Sequence, residues 1–153
     1  MADIVHVLMP GDVVCADRGV RLETLLGSCV SIVLTDRHRT VGAMCHIVHC
    51  RPVDECSGAT DQSASGAIET LYGLLRQRGF NPSLCDAFVY GGGNMFPGLI
   101  GGTHVGERNA EHVMARLEAD GVRVIVCDLG GRAYRRVAWT IGPELPEVSA
   151  VPM

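Results

Sequence analysis

The chain is poor in aromatic residues, which make up 5% of its 153 residues, and it has no excess of basic ones. With a formal net charge of −4 and a sequence pI of about 5.8, it offers neither the cationic surface nor the stacking platforms that nucleic-acid binding uses. It also lacks any apolar run near the roughly 18 residues that a membrane span requires. Its first residues, Met1 to Gly11, carry Asp3 inside their apolar run and show neither a cationic start nor a cleavage site, so a cytoplasmic location without membrane insertion is expected. Cysteine is not scarce, but the seven residues form an odd set with no export signal, which favours reduced thiols over a disulfide framework. What remains, 47% hydrophobic and 20% charged residues, suits one globular domain large enough to bury a core.

The chemistry centres on Leu25 to Leu34, where a Gly27-Ser28-Cys29 turn feeds the apolar run Val30-Ser31-Ile32-Val33-Leu34. A cysteine on such a turn stands beside two backbone amides at a strand's edge, an arrangement that acyl transfer can use, although an unpaired cysteine is more often a small core hydrophobe. The second apolar run, Val41 to Val48, follows the polar connection Thr35 to Thr40, and the two read as a hairpin. Antiparallel pairing would bring His46 back to Cys29, supplying the partner that a reactive cysteine needs.

Elsewhere, Ile4–Met9 and Asp12–Ala16 read as short strands around Pro10-Gly11, and Arg51–Asp61, rich in turn residues, as a mobile loop near the site. Helical spacing of Ala64, Ala67, Ile68, Leu71, Leu74 and Leu75 predicts a helix over 62–78, capped by Asp61 or Ser63. Leu84–Tyr90 reads as a buried strand ending in a glycine loop that lacks the dinucleotide-binding pattern. A second helix is expected over 110–120 with Asn109 as its cap, followed by strands over 122–127 and 135–141, the latter as the last strand. Cys15, Cys85 and Cys127 lie in predicted strands as core residues, and His6, His38, His104 and His112 read as surface or structural. The tail from about 143, with three prolines, reads as irregular. Strands outnumber helices without regular alternation, which gives an α+β class: mixed or antiparallel sheets flanked by two main helices in a single compact domain over 1–153.

The pair Gly-Ser-Cys-Val and Gly-Ala-Met-Cys-His, with the histidine 17 positions after the cysteine, resembles the CheD family of bacterial chemotaxis deamidases. Tyr90-Gly91-Gly92-Gly93-Asn94-Met95-Phe96 is similar to its Gly-Gly-x-x-Met-Phe loop, Gly106-Glu107-Arg108-Asn109 to its Gly-x-Arg-Asn segment, and Asp128-Leu129-Gly130-Gly131 to its Asp-x-Gly-Gly turn. The resemblance implies a protein-glutamine glutaminase: a cytoplasmic hydrolase with a cysteine nucleophile, Cys29, paired with His46 as thiolate and imidazolium, converting chemoreceptor glutamines to glutamate through a thioester. It implies no cofactor or metal. Its implied partners are the cytoplasmic helices of methyl-accepting chemoreceptors, as substrate, and the CheC phosphatase.

Three departures from the family pattern stand out. The family's third catalytic residue is a threonine six positions before the cysteine, which here is Glu23, while Thr24 stands five before; Thr24 is the favoured orienter of His46 and Glu23 the alternative. The histidine is followed by Ile47-Val48 rather than Leu-Pro, and Tyr134 replaces a glycine in the later Gly-Gly-x-x-Gly-Arg segment. Loss of the orienting residue would leave a non-catalytic adaptor that binds receptors and CheC. A third reading takes Cys45, His46, His49, Cys50 and Cys56 as zinc ligands, but strand alternation turns these side chains to opposite faces.

Overall fold

The computed structural model describes residues 4–48, 64–95 and 105–152, which form two helices and two mixed sheets in one compact α+β domain. The chain order is β1 (Val5–Leu8), β2 (Val13–Asp17), β3 (Arg21–Leu26), β4 (Val30–Thr35), β5 (Val41–Cys45), α1 (Ala64–Gln77), β6 (Asp86–Gly91), α2 (Val105–Ala119), β7 (Arg123–Leu129), β8 (Ala133–Thr140) and β9 (Glu147–Pro152). A 3-10 turn, Pro82–Leu84, replaces the start of the expected strand before β6, because Asn81 caps it and accepts from the Ser83 amide at 3.0 Å. The first sheet runs β1-β3-β8-β9 and the second β2-β5-β4-β6-β7. All pairs are antiparallel except β1 with β3 and β6 with β7.

Three layers follow from the side-chain alternation of the second sheet, which is covered on both faces. One face of β4 and β5, with Ile32, Leu34, Ala43 and Cys45, packs against Ala67, Ile68, Leu71 and Leu75 of α1 and Val113 and Leu117 of α2. The other face, with Val33, Met44, Phe88 and Tyr90, packs against Leu8, Leu22, Leu26, Val137 and Trp139 of the first sheet. Burial on both sides explains why β4 reads as an unbroken apolar run. The expected hairpin is present as β4 and β5, in the register Val33↔Met44, Leu34↔Ala43, Thr35↔Gly42.

Three expectations are corrected. The tail is not irregular, and β8 is not the last strand: β9 pairs along β8 from Ala133↔Pro152 to Ala138↔Glu147. Pro143 and Pro146 precede β9, and Pro152 ends it on a sheet edge, where a missing N–H is tolerated. The second helix begins at Val105, so Asn109 lies inside α2 and is not its cap. Cys127 is exposed rather than core, because β7 is the edge of its sheet, whereas Cys85 is buried and Cys15 half-buried. The loop expected over 51–61, the caps Asp61 and Ser63, and His104 lie outside the described residues.

Candidate active site

The chain crosses from the first sheet to the second at Gly27-Ser28-Cys29, between the end of β3 and the start of β4. The glycine loop after β6 holds this crossing: Gly92 N donates to Cys29 O at 2.8 Å and Gly93 N to Gly27 O at 2.9 Å. Gly91 has φ +113, and a Cβ there would lie 2.1 Å from Cys29 O, so only glycine fits both the conformation and the contact. The Ser28 carbonyl accepts from Asn109 Nδ2 at 3.0 Å. Three successive carbonyls are thus engaged, while the Ser28 and Cys29 amides make no hydrogen bond among the described residues. Over Gly27 lie Met95 and Tyr134, whose Sδ and Cε1 would each be 3.2 Å from a Cβ at that position. Tyr134, the departure from the family's glycine, therefore roofs the residue two before the cysteine.

Beyond the β4–β5 ladder, Val30 and Ile47 exchange two backbone bonds, of 3.0 and 2.8 Å. That register sets Ser31 opposite His46 and places Cys29 diagonally from His46 on the same face, the one turned to the first sheet. Cys29 packs against the inter-sheet cluster accordingly, and His46 is buried.

From the first sheet comes Thr24. Its Oγ1 lies 2.8 Å from His46 Nδ1 and donates to Leu8 O at 2.9 Å. A hydroxyl has one proton, and it goes to the Leu8 carbonyl, so the bond to the ring must be donated by His46 Nδ1–H. This tautomer leaves the lone pair on Nε2, where a base needs it. Glu23 cannot compete: strand alternation turns it to the opposite face of β3, where its carboxylate pairs with Arg21 Nε at 2.6 Å. Of the two candidate orienters, Thr24 is therefore the one whose side chain contacts His46.

Burial acts on both titratable groups. It lowers the His46 pKa from its ordinary 6.5, against opposing effects of the Leu8 carbonyl and the Asp12 carboxylate. It also raises the Cys29 thiol above its ordinary 9.0. No hydrogen bond joins the Cys29 sulfur to His46 in this conformation. Desolvation thus acts on both groups in the sense that favours the neutral thiol and the neutral imidazole, against the direction that an ion pair between them would need.

Of the zinc candidates, the two among the described residues do not converge. Cys45 faces the helices, where burial pushes its thiol to about 12, and His46 faces the other way. His49, Cys50 and Cys56 lie outside the described residues.

Comparison with known proteins identifies the family. The family model described as CheD chemotactic sensory transduction matches residues 55–142. The chain belongs to the CheD family. It is 33% identical over 138 residues to a probable chemoreceptor glutamine deamidase CheD 2 of Albidiferax ferrireducens, covering 88% of this chain and 80% of that protein. A probable chemoreceptor glutamine deamidase CheD of Pseudomonas syringae is 31% identical over 138 residues, covering 88% and 78%. The chemoreceptor glutamine deamidase CheD of Thermotoga maritima is 32% identical over 126 residues, covering 80% and 76%.

One feature of this candidate site escaped sequence reasoning. Asn109 has the composition of a helix cap, and only the packing of α2 on the glycine loop reveals that its side chain reaches the cysteine turn. The motif match at Gly106-Glu107-Arg108-Asn109 was the available signal, since a helical glycine followed by a buried polar residue marks close approach of a helix to another backbone.

Proposed function

We propose that this chain is a protein-glutamine deamidase that hydrolyses side-chain amides of particular chemoreceptor glutamines to glutamate, releasing ammonia, and that residues 1–153 act as a single CheD-like domain. The observation that carries the reading is the Thr24–His46 contact of 2.8 Å, in a register that sets Cys29 on the face His46 occupies. Family membership supplies the substrate class, because the curated relatives are named chemoreceptor glutamine deamidases.

In this reading Cys29 attacks the amide carbon while Nε2 of His46 takes the thiol proton. Burial raises the thiol pKa, so in this reading proton transfer to Nε2 accompanies the attack. The carbonyl oxygen gains the negative charge, and the unengaged amides of Ser28 and Cys29 are the donors placed to receive it. The imidazolium then returns its proton to the nitrogen, the C–N bond breaks, ammonia leaves and a thioester remains. Neutral His46 next takes a proton from water, which attacks the thioester; collapse gives glutamate and restores the thiol. Throughout, Thr24 and the Leu8 carbonyl hold Nδ1–H, fixing the ring and stabilising its charged form.

The working partners in this reading are the cytoplasmic helices of methyl-accepting chemoreceptors and the CheC phosphatase, and the working place is the cytoplasm. No helix among the described residues is long and apolar enough to cross a membrane. The test compares ammonia release from a helical receptor fragment with that from free glutamine. A small site that takes its orientation from remote contacts should turn over the fragment far faster. Equal efficiency on free glutamine would instead make the protein a small-molecule amidase.

A further inference from the structure

The distance between the cysteine turn and the histidine segment is held by a residue that belongs to neither. Backbone pairing of the two segments ends at Val30 and Ile47, one residue short of Cys29 on its own strand. Past that point Asn109 Nδ2 donates to Ser28 O at 3.0 Å and to Val48 O at 3.2 Å. One carbonyl precedes the nucleophile by a single residue, and the other follows the histidine by two.

An amide nitrogen has two hydrogens in one plane, so two acceptors that share it are fixed relative to each other. Asparagine is a poorer choice for a helix interior than alanine, and burying its amide is costly unless it is bonded. Asn109 is nonetheless 2% exposed. Its position is in turn set by the first turn of α2, where Gly106 lies so close to the glycine loop that a Cβ would fall 2.2 Å from Gly93 O. That loop is the one whose Gly92 and Gly93 amides hold the Cys29 and Gly27 carbonyls. Helix, glycine loop, cysteine turn and histidine segment therefore meet through one side chain.

We propose that Asn109 is a positioning residue for deamidation, which sets the Cys29-to-His46 geometry by clamping the Ser28 and Val48 carbonyls. The proposal rests on the Cys29–His46 reading above. Asn109→Leu keeps the volume and removes both donors. Asn109→Asp keeps the shape, removes the donors and sets a carboxylate against two carbonyls. Both should lower kcat about ten- to a hundredfold with little change in KM, because a misplacement on the ångström scale is enough for such a loss.

Val113→Ala is the control for a merely structural role: it opens a cavity on the same helix, against α1 and the second sheet, away from the clamp. It should lower the melting temperature and leave kcat near the parental value when assayed well below that temperature. Asn109→Gln, which retains the primary amide, should recover part of the lost kcat. Parental kcat in Asn109→Leu and Asn109→Asp, with Cys29→Ala inactive, overturns the proposal alone. An equal kcat loss in Val113→Ala also overturns it, since the effect would then be one of helix packing. Activity persisting in Cys29→Ala would bring down the deamidase reading and the proposal with it.

Discussion

Thr24→Val removes one oxygen and almost nothing else. Thr24, Leu8 and His46 are each at most 4% exposed, so the valine keeps the packing while the Nδ1–H donor and the Leu8 carbonyl lose the hydroxyl between them. A buried polar group left without its partner costs about 1–3 kcal/mol, which in a domain of this size lowers the melting temperature by about 2–4 °C per kcal/mol. The ring can regain part of this only by turning towards the Leu8 carbonyl, which moves Nε2 away from its working position. Groups that orient a metal-bound histidine are worth about ten- to a hundredfold, and by analogy a kcat loss of that size is expected here. Thr24→Ser, which keeps the hydroxyl, should restore most of it. Glu23→Gln disturbs only a half-exposed ion pair with Arg21, worth under about 1 kcal/mol, and should leave kcat alone. The assay is ammonia release from a receptor fragment across a substrate range, with a thermal melt of each variant. Parental kcat in Thr24→Val, or a large loss in Glu23→Gln, would refute the assignment of Thr24.

The pH dependence follows from burial. With the His46 pKa lowered below 6.5, the base is ready at neutral pH, so kcat/KM should hold at pH 7 and fall only as pH drops through the lowered value. Folding stability carries the same sign: the unfolded histidine takes a proton near 6.5 and the folded one only below that, so the contribution is complete above 6.5 and lost on acidification. A His46→Gln variant should lose that part of the acid dependence in chemical denaturation at pH 5 and pH 7. Cys29, with its pKa raised above 9.0, should react with iodoacetamide at a rate that climbs through and beyond pH 9; a rate already level from pH 5 to 8 would reveal a preformed thiolate. Ser31 Oγ is fully buried, faces the His46 position and has no partner among the described residues, so Ser31→Ala should raise stability by about 1 kcal/mol, and a lower melting temperature would contradict this.

That Cys29 and His46 share one face of the hairpin was legible because it depends on local signals. Two apolar runs joined by six polar residues make a hairpin, and strand parity then fixes which side chains share a face. The Thr24 contact was legible only as a choice between neighbours, since parity says that one of Glu23 and Thr24 faces inward but not which. Packing of the two sheets decided it, with Leu22, Thr24 and Leu26 turned to the core and Glu23 to solvent. The direction of the Cys29 shift was not legible, because a cation beside a thiol lowers its pKa while burial raises it, and the depth of Cys29 appears only when the sheets close over it. Strand order was equally hidden. Cys127 has the sequence context of a core residue and β9 that of a loose tail, yet their actual states follow from β7 and β9 being edge strands.

The most direct measurement of the central claim is the mass of each glutamine-containing peptide from a receptor cytoplasmic fragment after incubation with the parent protein and with Cys29→Ala. The parent should convert particular glutamines to glutamate, shown by the mass gain of an amide becoming an acid, and the correctly folded alanine variant should convert none. Equal conversion by both proteins, or none by the parent, would contradict the account.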